Sequence, residues 1–277
     1  MPTRKEDGLT SQIPTLGIIA GSGVIPAQLA EACKAQGMNF RIIGLTDNTD
    51  KIIPDFWTRI GTSAKTIRYL KENDIHDLVL IGAVKRPGLF DLWPDWFTFK
   101  FFLKVWFNSM GDNSLLESAR TLLESMGFKL HGIQKFMPEL LMPEGLAGNF
   151  SPEERQWLDI QIGLKESQEL GAQDIGQAVI IKNGQILGRE DKKGTSTLIR
   201  KYGQQGAILV KTCKPQQDKD LDLPTIGPDT ARLCAQAGMA GIVGQAGQTL
   251  LVERDLVKNI ADDHAMFVIG VTLDAKK

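Results

Sequence analysis

The chain has 277 residues and a mass of 30.5 kDa, enough for two domains that each bury a core. Its 42% hydrophobic and 23% charged residues are those of a globular protein, and 32 Lys+Arg against 33 Asp+Glu leave a formal charge of -1. No field of one sign is present to recruit nucleic acid, so none is expected as a partner. The three cysteines, Cys33, Cys213 and Cys234, have no CxxC or Cys/His spacing, which fits a reducing compartment and argues against structural zinc. The polar start "MPTRKEDGLTSQIPT" and the lack of a run of about 18 apolar residues lead us to expect a cytoplasmic protein.

In chain order, "TLGIIA" (15–20) is an apolar run that ends in "GSG". A helix pattern follows from Pro26 to Gln36, then Gly37 as a stop and a second apolar run, "FRIIGL". This is a βαβ unit. The helical stretch "SAKTIRYLKEND" and the strand "DLVLIG" (77–82) extend it, so residues 1–141 read as a Rossmann-like parallel-sheet domain. Further helices are expected over 114–126 and 135–141.

"MPEGLAGNF" (142–150) is rich in Gly and Pro and reads as a linker. Ser151 and Pro152 then mark a capping-box start for a long helix ending near Gly171. "QAVIIKNGQIL" reads as a hairpin turning at Asn183-Gly184, and "GTSTLIRKYG" as a turn and short helix. A strand "GAILVK", an aspartate-rich segment, a helix from Pro228 to Ala237, two short strands and "DDHAMFVIGVT" complete a second α/β domain over 151–277.

Four stretches could carry chemistry. Gly21, Ser22 and Gly23, between the first strand and a helix start, suit a phosphate that approaches backbone N–H groups; the same residues also suit an ordinary tight βα turn. Gly194, Thr195 and Ser196 open a helix, with Lys192, Lys193, Arg200 and Lys201 close in sequence, and read equally as an anion site or a plain N-cap.

The third stretch is "KTCKPQQDKDLDLPTIGPDT" (211–230). On an extended chain Asp218, Asp220 and Asp222 would project to one side, where a cation, Lys211 and Lys214, or water must relieve their repulsion. A calcium loop fails, because its sixth position needs glycine and holds Leu223. Magnesium needs only one or two carboxylates, here Asp218 and Asp222, and takes its other ligands from water and phosphate. The fourth stretch, "FDLWPDWFTFKFFLKVWF" (90–107), holds nine of the nineteen aromatic residues, with Lys100 and Lys104 among them. It reads as an interfacial segment, a core or a dimer surface.

Together "GIIAGSGVIP", "GDNSLLESARTLLESMGF", "PELLMPEGLAGNFSPEE", "DIGQAVIIKNG", "GTSTLIRK", "KPQQDKDLDLPTIGPDT" and "AGMAGIVGQAGQTLLVERD" resemble the LpxI-type UDP-2,3-diacylglucosamine pyrophosphatases of lipid A synthesis, in order along nearly the whole chain. The resemblance implies cleavage of that substrate to UMP and 2,3-diacylglucosamine 1-phosphate with magnesium assisting. It also implies a homodimer peripherally attached to the inner membrane, and a catalytic aspartate at Asp222. Lys211, Lys214, Gln217 and the Gly194–Ser196 turn would contact the pyrophosphate, and Gly21–Gly23 the nucleotide. Where the family pattern has Glu-Gly-Thr-Asp, this chain has Lys193-Gly194-Thr195-Ser196. Two other classes stay open: a nucleotide-dependent oxidoreductase, for which Asp47 is the nearest ribose-gripping acid, and a non-catalytic nucleotide-sugar or lipid-binding protein.

Overall fold

Strand β1 (Thr15–Ala20) is apolar on both faces, which is stable only where both are covered, as in a parallel sheet flanked by helices. A computed structural model describes residues 14–59, 63–84 and 120–273. The described residues fall into two units, one reaching Phe136 and one beginning at Met137.

In the first unit β1 leads into α1 (Ile25–Ala35), which carries Pro26 in its first turn and buries Leu29, Ala30 and Cys33. There follow β2 (Phe40–Leu45), β3 (Phe56–Thr58), α2 (Ser63–Glu72), β4 (Ile75–Ile81) and β5 (Lys129–Leu130). The sheet is parallel throughout, in the order β3-β2-β1-β4-β5. The expected Rossmann-like arrangement is therefore present, with β1 and β4 flanking the point where strand order reverses. Residues 120–125 of the helix expected over 114–126 are helical. The rest of that helix and the aromatic segment 90–107 lie outside the described residues.

The helix expected over 135–141 is instead two short 3-10 turns, Ile133–Lys135 and Pro138–Leu140. Pro138 has no N–H to continue a helix and pushes Met137 out of helical geometry.

The second unit runs β6 (Gly145–Leu146), α3 (Glu154–Ala172), β7 (Ala178–Lys182), β8 (Gln185–Arg189), α4 (Thr195–Tyr202), β9 (Ile208–Lys211), β10 (Thr225–Ile226), α5 (Pro228–Gln236), β11 (Gly241–Gln245), β12 (Leu250–Leu251), α6 (Arg254–Asp263) and β13 (Phe267–Val271). Its main sheet has the order β6-β13-β11-β9-β7-β8, with β9, β11 and β13 parallel. Successive strand residues face opposite layers. Ile180, Leu209, Ile242 and Val268 pack with Leu198, Ala231 and Val257 of α4, α5 and α6, while Val179, Val210, Val243 and Ile269 pack with Ile160 and Leu164 of α3. The hairpin turns at Asn183 and Gly184, whose φ of 51° and 76° suit a two-residue turn.

Three expectations change here. The long helix begins after Glu153, whose N–H donates to Gln156 Oε1 at 2.8 Å, so the cap lies two residues beyond Ser151. Residues 142–150, expected as a linker, contain β6, which pairs antiparallel with β13, and Met142 is buried. Finally, α6 fills a stretch for which the sequence reading gave no element.

Candidate active site

Open α/β sheets bind ligands beyond the carboxyl ends of their strands. At that edge of the second unit Lys211 ends β9, Gln245 ends β11 and Glu190 follows β8. All three are buried, and long polar side chains are buried only when paired.

The Lys211 ammonium donates to Thr195 Oγ1 and to the Thr225 carbonyl, each at 3.1 Å. Thr195 is the first residue of α4, and Thr225 opens the short strand that leads into α5. The start of α4 and the strand before α5 thus lie beside one buried cation, and a helix start carries partial positive charge. Gly194 makes this possible. Its φ of 80° is a conformation that residues with a Cβ rarely adopt, and it turns the chain into α4 directly after Asp191-Lys192-Lys193.

Burial pushes Lys211 below the ordinary lysine range, while the carboxylates of Glu190 and Asp222 pull it back up. Among the described residues neither acid closes a direct ion pair with it. Glu190 reaches it through Thr195, whose hydroxyl donates to Glu190 Oε1, while Glu190 Oε2 accepts the Gln177 N–H at 2.9 Å.

Asp222 is half-buried on the loop after β9. Its Oδ2 accepts a 2.5 Å hydrogen bond from Gln217 Nε2, and Oδ1 accepts none among the described residues. Gln217 is itself buried and fixed at its other end, because its Oε1 accepts the Lys214 N–H at 3.2 Å and the Cys213 thiol at 3.6 Å.

The expected site residues therefore separate. Lys211, Thr195 and Asp222 come together, but Gln217 is occupied in holding Asp222 and does not reach outward. The Thr195 hydroxyl is likewise engaged, as donor to Glu190 and acceptor from Lys211. Lys214 pairs with Asp174 at 2.6 Å. Ser196 and Lys193 are exposed at the start of α4.

The aspartates do not alternate along an extended chain. Residues 218–222 form a tight turn in which the Leu221 and Asp222 N–H groups donate to the Asp218 carbonyl at 3.1 and 3.0 Å, and the Asp220 N–H donates to Asp218 Oδ1 at 3.0 Å. The Asp218 carboxylate thus accepts a backbone N–H two residues on, as Asp commonly does in turns. Among the described residues no group of three or more His, Cys, Asp or Glu could hold a metal ion.

In the first unit, Gly21, Ser22 and Gly23 have all three N–H groups engaged: with the carbonyls of Ile81 and Ala83 and with Asp50 Oδ1, at 2.8, 2.8 and 2.9 Å. Ser22 bridges to Ala83 between the ends of β1 and β4, and a Cβ on Gly21 would stand 2.6 Å from the Ala83 carbonyl oxygen. Those glycines allow a close backbone crossing, and in this geometry the turn offers an anion no free amide. Asp47 is exposed at a turn after β2.

The sequence reading missed Glu190, Thr225 and Gln245. Glu190 stands among exposed charges in "GREDKKG", and nothing in that string distinguishes the one acid that turns inward.

Residues 15–140 match the family model of the LpxI N-terminal domain, and residues 143–269 match that of the LpxI C-terminal domain. A curated protein of Caulobacter vibrioides, described as UDP-2,3-diacylglucosamine pyrophosphatase LpxI, is 34% identical over 271 residues, covering 92% of this chain and 97% of the relative.

Proposed function

The chain belongs to the LpxI family, and on that premise we propose that it is a pyrophosphatase that hydrolyses UDP-2,3-diacylglucosamine to UMP and 2,3-diacylglucosamine 1-phosphate. The observation that carries the reading is the buried Lys211 ammonium, tied to the start of α4 and to the strand before α5, with Asp222 within electrostatic reach.

Water adds to one phosphorus of the anhydride, the bond from that phosphorus to the bridging oxygen breaks, and the bridging oxygen leaves on the other phosphate. Negative charge rises on the phosphate oxygens meanwhile. Lys211 and the N–H groups of Thr195 and Ser196, which open α4 and meet no carbonyl among the described residues, are suited to receive that charge. Asp222 Oδ1, the oxygen left open by Gln217, orients the attacking water and takes its proton.

Magnesium fits this donor set only as an ion shared with the substrate: Asp218 in the turn would give it a hard oxygen, and Asp222 would give it a second only in place of its role toward the water. When bound it would neutralise charge on the phosphates. A diacylated substrate brings the protein to a bilayer surface, and we extend the proposal to peripheral attachment at the inner membrane and to a homodimer. Among the described residues no helix is long and apolar enough to cross a membrane.

Incubating the purified protein with UDP-2,3-diacylglucosamine in heavy-oxygen water, with and without magnesium, tests the proposal. UMP release that needs the metal, with the label in one product, is expected. Tight binding of intact substrate with no UMP release would instead favour a binding protein.

A further inference from the structure

Buried acids are rare unless a cation or metal answers them, yet among the described residues the buried carboxylate of Glu190 meets only an amide N–H and a hydroxyl. The hydroxyl explains it. The Thr195 hydroxyl has a single proton, and donating its hydrogen bond to Glu190 leaves the oxygen to accept from Lys211. Carboxylate, hydroxyl and ammonium thus form one chain, anchored at the acid by the Gln177 N–H and at the cation by the Thr225 carbonyl. Each link polarises the next, which strengthens both hydrogen bonds. An ammonium has three N–H donors. Two are used here, and among the described residues the third meets no partner.

We propose that Glu190 is a positioning residue of this site, which through the Thr195 hydroxyl holds the Lys211 ammonium charged and fixed with one N–H left for a phosphate oxygen. This assignment deepens the hydrolytic reading and rests on it for its kinetic part. Without the carboxylate, the Thr195 hydroxyl is free to rotate, and burial favours the neutral amine of Lys211 with only Asp222 to oppose it.

The test compares Glu190→Gln, Thr195→Val and Thr195→Ser with wild type in the full chain. It follows UMP release across pH, and the binding of inorganic pyrophosphate by calorimetry. Glu190→Gln keeps the shape and removes the charge. It is expected to weaken pyrophosphate binding and lower kcat/KM roughly tenfold, the scale of one charge-assisted hydrogen bond. It should also move the alkaline limb of the rate profile to lower pH. Thr195→Val should lose as much, and Thr195→Ser should regain most of it.

Wild-type pyrophosphate affinity in Glu190→Gln, with a superimposable pH profile, would overturn the proposal. Should Glu190→Gln fail to fold by circular dichroism, the threonine pair decides: equal affinities in the Val and Ser variants overturn it, and a loss confined to Val supports it. If wild type releases no UMP but Glu190→Gln still weakens pyrophosphate binding, the hydrolytic reading falls and the positioning role stands.

Discussion

Gln217 Nε2 donates a 2.5 Å hydrogen bond to Oδ2 of Asp222, five residues along the chain. Since the Lys214 N–H and the Cys213 thiol fix the other end of Gln217, Asp222 is aimed by a side chain that cannot swing away. Replacing Gln217 with Leu removes this donor and leaves Oδ2 unmet. The expected loss is about 1.5–3 kcal/mol of transition-state stabilisation, roughly 10- to 150-fold in kcat, with KM little changed. Steady-state UMP release measures it, and an unchanged kcat would detach Gln217 from the chemistry.

Asp222→Ala should lower turnover by about 100-fold or more while leaving the fold in place, because the loop around it is held by the Asp218 turn and not by its own carboxylate. Far-UV circular dichroism beside the UMP assay separates the two effects. Turnover at the wild-type rate would remove Asp222 from the mechanism.

Lys211 gives opposite signs for activity and stability. Burial lowers its proton affinity in the folded state, so as pH rises the folded protein loses this proton before the unfolded chain does. Between the depressed folded value and the ordinary lysine value, this group makes the folded state more stable with rising pH, while phosphate binding declines. An alkaline fall in kcat/KM that Lys211→Met abolishes, together with a melting temperature that drops no faster with pH in wild type than in the variant, is the expected pair of results.

The site also depends on packing beneath it. Gly163 of α3 lies against β9, and a Cβ there would stand 2.6 Å from Val210 Cγ2, one residue before Lys211. Gly163→Val should therefore cost about 1–3 kcal/mol in urea unfolding, the usual range for overpacking a core. Adding Val210→Ala should recover part of that loss; strict additivity of the two changes would mean that the contact carries no strain.

The strands were legible because they are apolar on both faces and end in turn residues. β1, β2 and the β7–β8 hairpin fall where the pattern puts them. The segment 142–150 misled, since Gly and Pro there mark a short edge strand rather than a tether. α6 has Leu256, Val257, Ile260 and Ala261 at helical spacing, so its signal was present. Asp222 and Lys211 stood out by residue type, but what surrounds them did not. That Glu190 is the acid of its string that turns inward depends on its meeting the Gln177 N–H before β7 and the Thr195 hydroxyl of α4, and that Gln217 faces inward depends on how the loop over 213–222 folds back on itself. Residue types alone do not encode those folds.

β6 has one more consequence. It is only two residues long, yet it occupies the hydrogen-bonding edge of β13 on the parallel side of the sheet. A fragment trimmed to start at Ser151 would bare that ladder of donors and acceptors and remove the Met142 plug, inviting edge-to-edge aggregation in place of a clean monomeric core. Any attempt to isolate this half of the protein should therefore cut upstream of Met137.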